Sequence, residues 1–132
     1  EPGDYTHQGV GTDFSKQRAG HLIAYPGGGR DKAWVRTVMD PARRFQTKWG
    51  ARIYVGEFGV IRFAPGAAQY LEDILSIFEE YGWDWSYHAF REWYNWSAEH
   101  SDDINDLKPT AAPTERLQVL LKYYKRKNIQ IQ

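Results

Sequence analysis

Apolar side chains recur every three or four residues in three segments of the chain. In residues 32–49 these positions are Trp34, Val35, Val38, Met39, Ala42, Phe45 and Trp49. In the second segment they are Ala67, Tyr70, Leu71, Ile74, Leu75, Phe78 and Tyr81, and in the third Leu117, Leu120, Leu121 and Tyr124. Asp31 and Thr114 precede two of these segments as capping residues, and Gly50 and Gly82 follow two as stop signals. The pattern predicts three amphipathic helices.

Pro41 interrupts the first helical segment. Proline lacks an amide hydrogen and clashes with the preceding helical turn. Two structures are compatible with this position. Either one helix bends at Pro41, or Asp40 caps a second helix with Pro41 in its first turn.

Two short runs rich in β-branched and aromatic residues lie between the helices. The sequence RIYVGEFG at 52–59 is typical of a buried strand, and WDWSYHAF at about 83–90 predicts a second one. Strands that alternate with helices indicate βαβ units and a parallel sheet. Two strands are too few to complete such a sheet, so the pattern predicts part of a larger α/β fold.

Strand alternation predicts which side chains share a face. Ile53, Val55 and Glu57 fall on one face of the first strand. In the second strand, Trp83 and Trp85 lie opposite Ser86 and His88, so we expect the two tryptophans to pack against helices. Residues 1–31 contain many Gly, Pro, Asp and Thr residues and show no apolar period, which predicts an irregular segment.

Composition argues against nucleic-acid binding, membrane insertion and cysteine chemistry, and leaves sugar binding open. The chain has 17 basic and 17 acidic residues without a basic stripe, so nucleic acid is not an expected partner. No apolar run reaches the roughly 18 residues of a membrane span. Cysteine is absent, which excludes disulfides and thiolate metal sites. The 16% aromatic content suits either a packed core or a sugar-binding cleft.

Glu57 is the strongest candidate for chemistry. It directly follows an apolar strand and is flanked by Gly56 and Gly59. In parallel α/β folds, reactive groups gather at the carboxyl ends of the strands. A carboxylate in this position can act in catalysis, or it can cap a backbone amide or pair with an arginine.

Two sequence blocks resemble the last two units of a glycoside hydrolase family 5 barrel of the cellulase type. These blocks are IYVGEFG and, after the intervening helix, WDWSYHAFREW. The opening EPGDYTHQG is similar to the loop that follows the sixth strand in that family. The resemblance implies an α/β fold, the C-terminal segment (about strands 7 and 8 with flanking helices) of a (β/α)8 TIM barrel. Residues 1–132 would then form one partial catalytic domain whose N-terminal portion is absent.

The resemblance also implies an activity, a retaining endo-β-1,4-glucanase in which Glu57 is the nucleophile. Expected partners are a β-glucan polysaccharide or oligosaccharide and the N-terminal portion of the same barrel. No cofactor is expected. Members of the family are secreted, which implies an extracellular or periplasmic location. The family's general acid follows an Asn on an earlier strand. Glu92 and Glu1 are weaker substitutes for that acid.

Four further residues are candidates for substrate binding. His88 occupies a position where many family members have a tryptophan that stacks under the sugar, and this departure leaves the stacking platform open. Trp93 and Trp96 could form a substrate wall or could belong to a packed loop. His7 could contact substrate from its loop or could be an ordinary surface residue.

Two other functions remain open, a non-catalytic carbohydrate-binding protein and a self-associating structural fragment. His100 with Asp102, Asp103 and Asp106 could suggest a metal site, but the spacing matches no known metal loop. We expect this segment to be a solvated turn, with no metal.

Overall fold

The computed structural model describes residues 24–89 and 91–128. In chain order, the described elements are α1 (Lys32–Trp49), β1 (Tyr54–Phe58), α2 (Ala67–Tyr81), β2 (Asp84–Tyr87) and α3 (Glu115–Asn128). The two strands pair in parallel, with Val55 opposite Trp85 and Phe58 opposite Tyr87. The described part of the chain is therefore a small α/β unit with a two-stranded parallel sheet, and the predicted order of helices and strands is confirmed.

Helix α1 begins and ends where the sequence predicts. The side chain of Asp31 accepts a hydrogen bond from the backbone N–H of Trp34 at 2.9 Å, and Gly50 takes the left-handed conformation after the last turn. The helix continues through Pro41. The alternative of a separate second helix capped by Asp40 is wrong.

The core lies between the sheet and helices α2 and α3. Phe58 packs edge to face against Phe78, Trp85 and Tyr87, with ring centroids 5.2–5.7 Å apart. Both Trp83 and Trp85 are buried, as predicted. The buried positions of α2 are Ala67, Leu71, Ile74, Leu75, Ile77 and Phe78, which confirms the predicted apolar face of this helix.

Helix α3 places Leu117 and Leu120 at the core, as predicted, but buries Tyr123 instead of Leu121 and Tyr124. Thr114 caps the helix by accepting from the N–H of Leu117 at 3.1 Å. Leu120 and Tyr123 are buried, whereas Leu121 and Tyr124 are 40% and 43% exposed. The predicted burial of Leu121 and Tyr124 is wrong. The Tyr123 hydroxyl donates to Glu72 of α2 at 2.8 Å, and this bond turns Tyr123 toward α2.

The register of β1 changes just before its end. Between the pairs Val55–Trp85 and Phe58–Tyr87, β1 advances three residues and β2 only two. An extra residue of this kind interrupts the alternation of side chains. Ile53 and Val55 pack against the core, Phe58 is buried within it and Glu57 is exposed. The prediction that Glu57 shares a face with Ile53 and Val55 is wrong, because Phe58 takes the next core-facing position.

Helix α1 keeps an apolar stripe uncovered by the rest of the described chain. Its members are Trp34, Val38, Phe45 and Trp49, which are 38–63% exposed. Val35 alone of this helix is fully buried. None of the helices within residues 24–89 and 91–128 has both the length and the apolar character needed to cross a bilayer.

Candidate active site

Glu57 lies at the carboxyl end of β1 and is exposed. Its neighbour Phe58 is buried in the core that the sheet forms with the helices, whereas Glu57 is exposed. Within the described residues, the side chain of Glu57 forms no hydrogen bond or ion pair. Neither an arginine partner nor a capped amide therefore occupies this carboxylate in the described part of the chain.

His88 lies beside the end of β1. Its backbone N–H donates to the carbonyl of Phe58 at 2.8 Å, which extends the parallel pairing by one bond. This bond places His88 next to the residue that follows Glu57. The two strands therefore bring Glu57 and His88 to the same edge of the sheet, where parallel α/β folds place their reactive groups.

Gly59 allows the strand ends to approach closely. A Cβ atom at this position would collide with the carbonyl oxygen of His88 and would lie 3.2 Å from Cε3 of Trp96. Glycine is therefore required here by space, because two backbones and an indole ring meet at this point.

His88, Trp93 and Trp96 form an aromatic cluster at this edge. The Trp96 ring centroid lies 6.2 Å from that of His88 and 6.2 Å from that of Trp93. All three side chains are half-buried. The structure thus brings together three of the four candidate binding residues. The fourth, His7, lies outside the described residues.

The loop that carries the tryptophans is tied to both strands. The hydroxyl of Tyr87 in β2 donates to the Trp96 carbonyl at 2.6 Å, and the N–H of Arg62, just beyond β1, donates to the Asn95 carbonyl at 2.9 Å. Burial raises the pKa of Tyr87 to about 12, so its hydroxyl remains a neutral donor at physiological pH. These two bonds anchor the backbone of the loop at Asn95 and Trp96.

Arg62 is a buried residue that the sequence analysis did not identify. Its side chain is fully buried, and its two terminal nitrogens donate to the backbone carbonyls of Ser101, Asp103, Ile104 and Asp106. Burial and the nearby Arg116 lower its pKa. A lone arginine within the apolar run VIRFA was the available signal. The expected solvated turn is confirmed, because Asp102, Asp103 and Asp106 are exposed, and the backbone carbonyls of this segment also accept from the buried Arg62 guanidinium.

Arg116 holds the start of the same loop. Its guanidinium is buried and donates to Asp102 Oδ1 and to the carbonyls of Arg62 and His100. Asp102 is thus engaged in an ion pair. In the part of the chain that the structure describes, no group of three or more His, Asp or Glu side chains is arranged to hold a metal ion.

Glu92, the weaker candidate for the general acid, lies beside His88. Its Oε2 atom is 3.7 Å from Nδ1 of His88, and its side chain is 66% exposed. This long, solvated contact holds the carboxylate only loosely. Glu1, the other substitute, lies outside the described residues.

A cavity of about 710 Å³ lies away from this edge, between the start of α2 and α3. Phe63, Gln69, Glu115 and Lys122 are among its lining residues, whereas Glu57 and the aromatic cluster are not. Its lining cations are paired, Lys122 with Glu72 and Arg116 with Asp102. We interpret this cavity as a groove between two helices. It is not the candidate active site, because Glu57 and the aromatic cluster do not line it.

No protein-family model and no curated protein matches this chain. Its function is therefore inferred from the residues at the carboxyl edge of the sheet.

Proposed function

We propose that this chain supplies strands 7 and 8 of the catalytic barrel of a retaining glycoside hydrolase that cleaves β-1,4-linked glucans. One observation carries the proposal: an exposed carboxylate, Glu57, at the carboxyl end of a parallel strand whose neighbour ends in half-buried aromatic side chains. Catalytic groups of barrel enzymes lie at this end of the strands. The sequence resemblance to family 5 supports the same assignment.

In this proposal, Glu57 acts as the nucleophile. Its ionised carboxylate attacks C1 of the sugar, the glycosidic C–O bond breaks, and a second carboxyl group about 5–5.5 Å away protonates the leaving oxygen. Water, deprotonated by that second group, then attacks C1 and releases Glu57. The exposed position of Glu57 suits an attacking group, because no described side chain neutralises or covers it.

The general acid and the other strands come, in this proposal, from the N-terminal portion of the same barrel. Two features support a missing partner. The described sheet has only two strands, and the apolar stripe of α1 is exposed. Uncovered strand edges and apolar helix faces are normally buried by further elements.

The aromatic cluster is the proposed binding surface for the glucan. Indole rings offer flat apolar faces on which a pyranose can lie, with the sugar hydroxyls free to form hydrogen bonds. His88 replaces the more usual tryptophan, so Trp96 is the proposed platform and Trp93 extends it. The resemblance also implies binding by His7 and an extracellular or periplasmic location, and both stay predictions.

The test is hydrolysis of cello-oligosaccharides by the assembled barrel, in which this chain is combined with the preceding barrel units. We expect Glu57→Gln to lower kcat by about 10⁴-fold, as when a catalytic nucleophile is removed. Glu92→Gln is the matched control, since it removes a second carboxylate from the same edge, and we expect its activity to stay close to that of the unmodified protein. Full turnover by Glu57→Gln would rule out the nucleophile assignment.

Carbohydrate binding without catalysis is the second candidate function. The aromatic cluster favours it, because three half-buried rings can bind a sugar without any reactive carboxylate. An assembled barrel that binds cello-oligosaccharides through the cluster, but hydrolyses none of them, would favour this alternative.

A further inference from the structure

We infer that Arg62 is a positioning residue that holds Trp93 and Trp96 at a fixed place relative to Glu57. The inference rests on the proposed function, because it concerns how the glucan is aligned over the nucleophile. Arg62 contacts neither the proposed nucleophile nor the cluster rings in any described hydrogen bond. It acts through Tyr94 and Asn95, which lie between the two tryptophans, and through the loop at residues 101–106 that follows them.

The side chain of Arg62 organises the loop at residues 101–106. Its Nη1 atom donates to the carbonyls of Ser101 and Asp103, and Nη2 donates to those of Ile104 and Asp106 at 3.1 and 2.7 Å. A planar guanidinium can direct four N–H bonds at once, whereas a lysine ammonium has only three donors from one point. The arrangement is therefore specific to arginine.

The backbone of Arg62 contacts the turn at residues 93–96, which precedes the loop at residues 101–106. Its N–H donates to Asn95, which lies between Trp93 and Trp96 in the sequence, and its guanidinium lies 5.7 Å from the ring centre of Tyr94. Arg62 follows β1 by four residues. Arg62 thus contacts the turn between the two tryptophans through its backbone N–H and the Tyr94 ring, and its guanidinium holds residues 101–106, which follow that turn.

The surroundings of Arg62 indicate that replacing its side chain would change the loop and leave the main core intact. The main apolar core is built by the sheet, α2 and α3, and the guanidinium bonds reach only carbonyls of the loop. In this inference, loss of these bonds releases residues 101–106, and loss of the contact with Tyr94 loosens the turn that carries the tryptophans, while the sheet and α2 keep their packing. The rings must then be ordered again when a glucan binds, which costs affinity.

The experiment compares three variants of the 132-residue chain, Arg62→Met, Arg62→Lys and the matched control Arg52→Met. Arg52 lies just before β1 and forms an exposed ion pair with Asp84 at 3.0 Å. Two readouts are used, the ¹H–¹⁵N signals of the Trp93 and Trp96 indoles and the binding of cellohexaose followed by tryptophan fluorescence.

We expect Arg62→Met to shift both indole signals and to weaken cellohexaose binding about tenfold, the cost of ordering two released side chains. Arg62→Lys should fall between Arg62→Met and the unmodified chain, because it retains some of the donors. Arg52→Met should change neither readout. In the assembled barrel, we expect kcat/KM of Arg62→Lys to fall by less than about tenfold, chiefly through KM, since the reacting atoms are untouched.

Unchanged indole signals in Arg62→Met would overturn the inference, as would unchanged affinity in a chain that binds cellohexaose. If Arg62→Met loses its helical circular dichroism signal, the variant is unfolded. Arg62→Lys then tests the inference by the same two readouts. Absence of cellohexaose binding by the unmodified chain and the assembled barrel alike would count against the proposed function instead. The indole signals would still test the position of the loop.

Discussion

Gly59 lies where the ends of β1 and β2 approach most closely in the candidate site. The space that a side chain would fill is taken by the His88 carbonyl and the Trp96 ring. Gly56, three residues earlier, has ordinary space, with its nearest side-chain atom, Cε1 of Tyr54, at 3.8 Å from a built Cβ. Alanine substitutions at these two glycines can therefore be compared. Both add a methyl group, but only the one at Gly59 places it against the His88 carbonyl and the Trp96 ring.

We predict that Gly59→Ala lowers the free energy of unfolding by about 1–3 kcal/mol, the usual cost of overpacking. It should also shift the Trp96 indole signal, because the ring must move. Gly56→Ala should be close to neutral. Urea unfolding followed by circular dichroism measures both variants, and equal stabilities would contradict the assigned contact.

At this scale the sequence predicted the position of Glu57 but not the face of the strand on which it lies. GEFG after an apolar run indicates a strand-end carboxylate, and alternation then placed it with Ile53 and Val55. The extra residue before Phe58 depends on packing against Phe78 and Trp85, which adjacent sequence does not encode. The burial of Arg62 likewise depends on a loop about forty residues away.

At the scale of elements, Glu72 links α2 to α3. Lys122 Nζ and the Tyr123 hydroxyl both donate to its Oε1 atom, at 2.5 and 2.8 Å. Partial burial alone would raise the pKa of Glu72, but these two bonds and the charge of Lys122 outweigh it and hold the pKa below 4.5. Because the folded-state pKa is lowered, the pair stabilises the fold above pH 4.5 and loses this contribution as pH falls through the lowered value.

We predict that the double variant Lys122→Met with Tyr123→Phe is less stable at pH 7 by about 1–2 kcal/mol, the worth of two hydrogen bonds to a carboxylate at a partly exposed site. The deficit should shrink as the pH falls through the lowered pKa of Glu72, because the unmodified protein then loses the same contribution. Urea unfolding at a series of pH values from 7 downward tests this. A deficit that does not change with pH would show that Glu72 is not the titrating partner.

The spacing of apolar residues explains why the buried face was predicted correctly for α2 and only in part for α3. In α2 the apolar residues are spaced so that only one face can be buried, and the structure buries it. In α3 the apolar residues fit two neighbouring faces, and the bonds to Glu72 select the one with Leu120 and Tyr123. Sequence periodicity cannot make that choice, because the selecting partner belongs to another helix.

At the scale of the whole molecule, the apolar stripe of α1 is a row of large apolar side chains that the rest of the described chain leaves exposed. We predict that the 132-residue chain self-associates, since a row of exposed apolar side chains along one helix favours association. Phe45→Lys with Trp49→Lys should raise the monomer fraction in sedimentation at low concentration. Thr37→Lys with Thr47→Lys, on exposed positions outside the stripe, is the charge-matched control. A compact monomer of the unmodified chain would contradict the prediction.

The parallel pairing of β1 and β2 is the feature on which a barrel segment depends, and the sequence order of strand, helix and strand was enough to predict it. The closure of a barrel involves strands beyond the two described here. For that reason the barrel and its substrate remain proposals supported by the resemblance, by the strand-end carboxylate and by the uncovered helix face.

Covalent trapping of the nucleophile tests the central proposal most directly. An activated 2-deoxy-2-fluoro-β-cellobioside would react with the assembled barrel, because the nucleophile displaces the leaving group while the fluorine slows release of the sugar. Trypsin should then liberate residues 53–62, a peptide in which Glu57 is the one carboxylic side chain. We predict that this peptide carries the added mass of one fluorocellobiosyl group and that Glu57→Gln abolishes it. A label on a different peptide, or a label that persists in Glu57→Gln, would contradict the account.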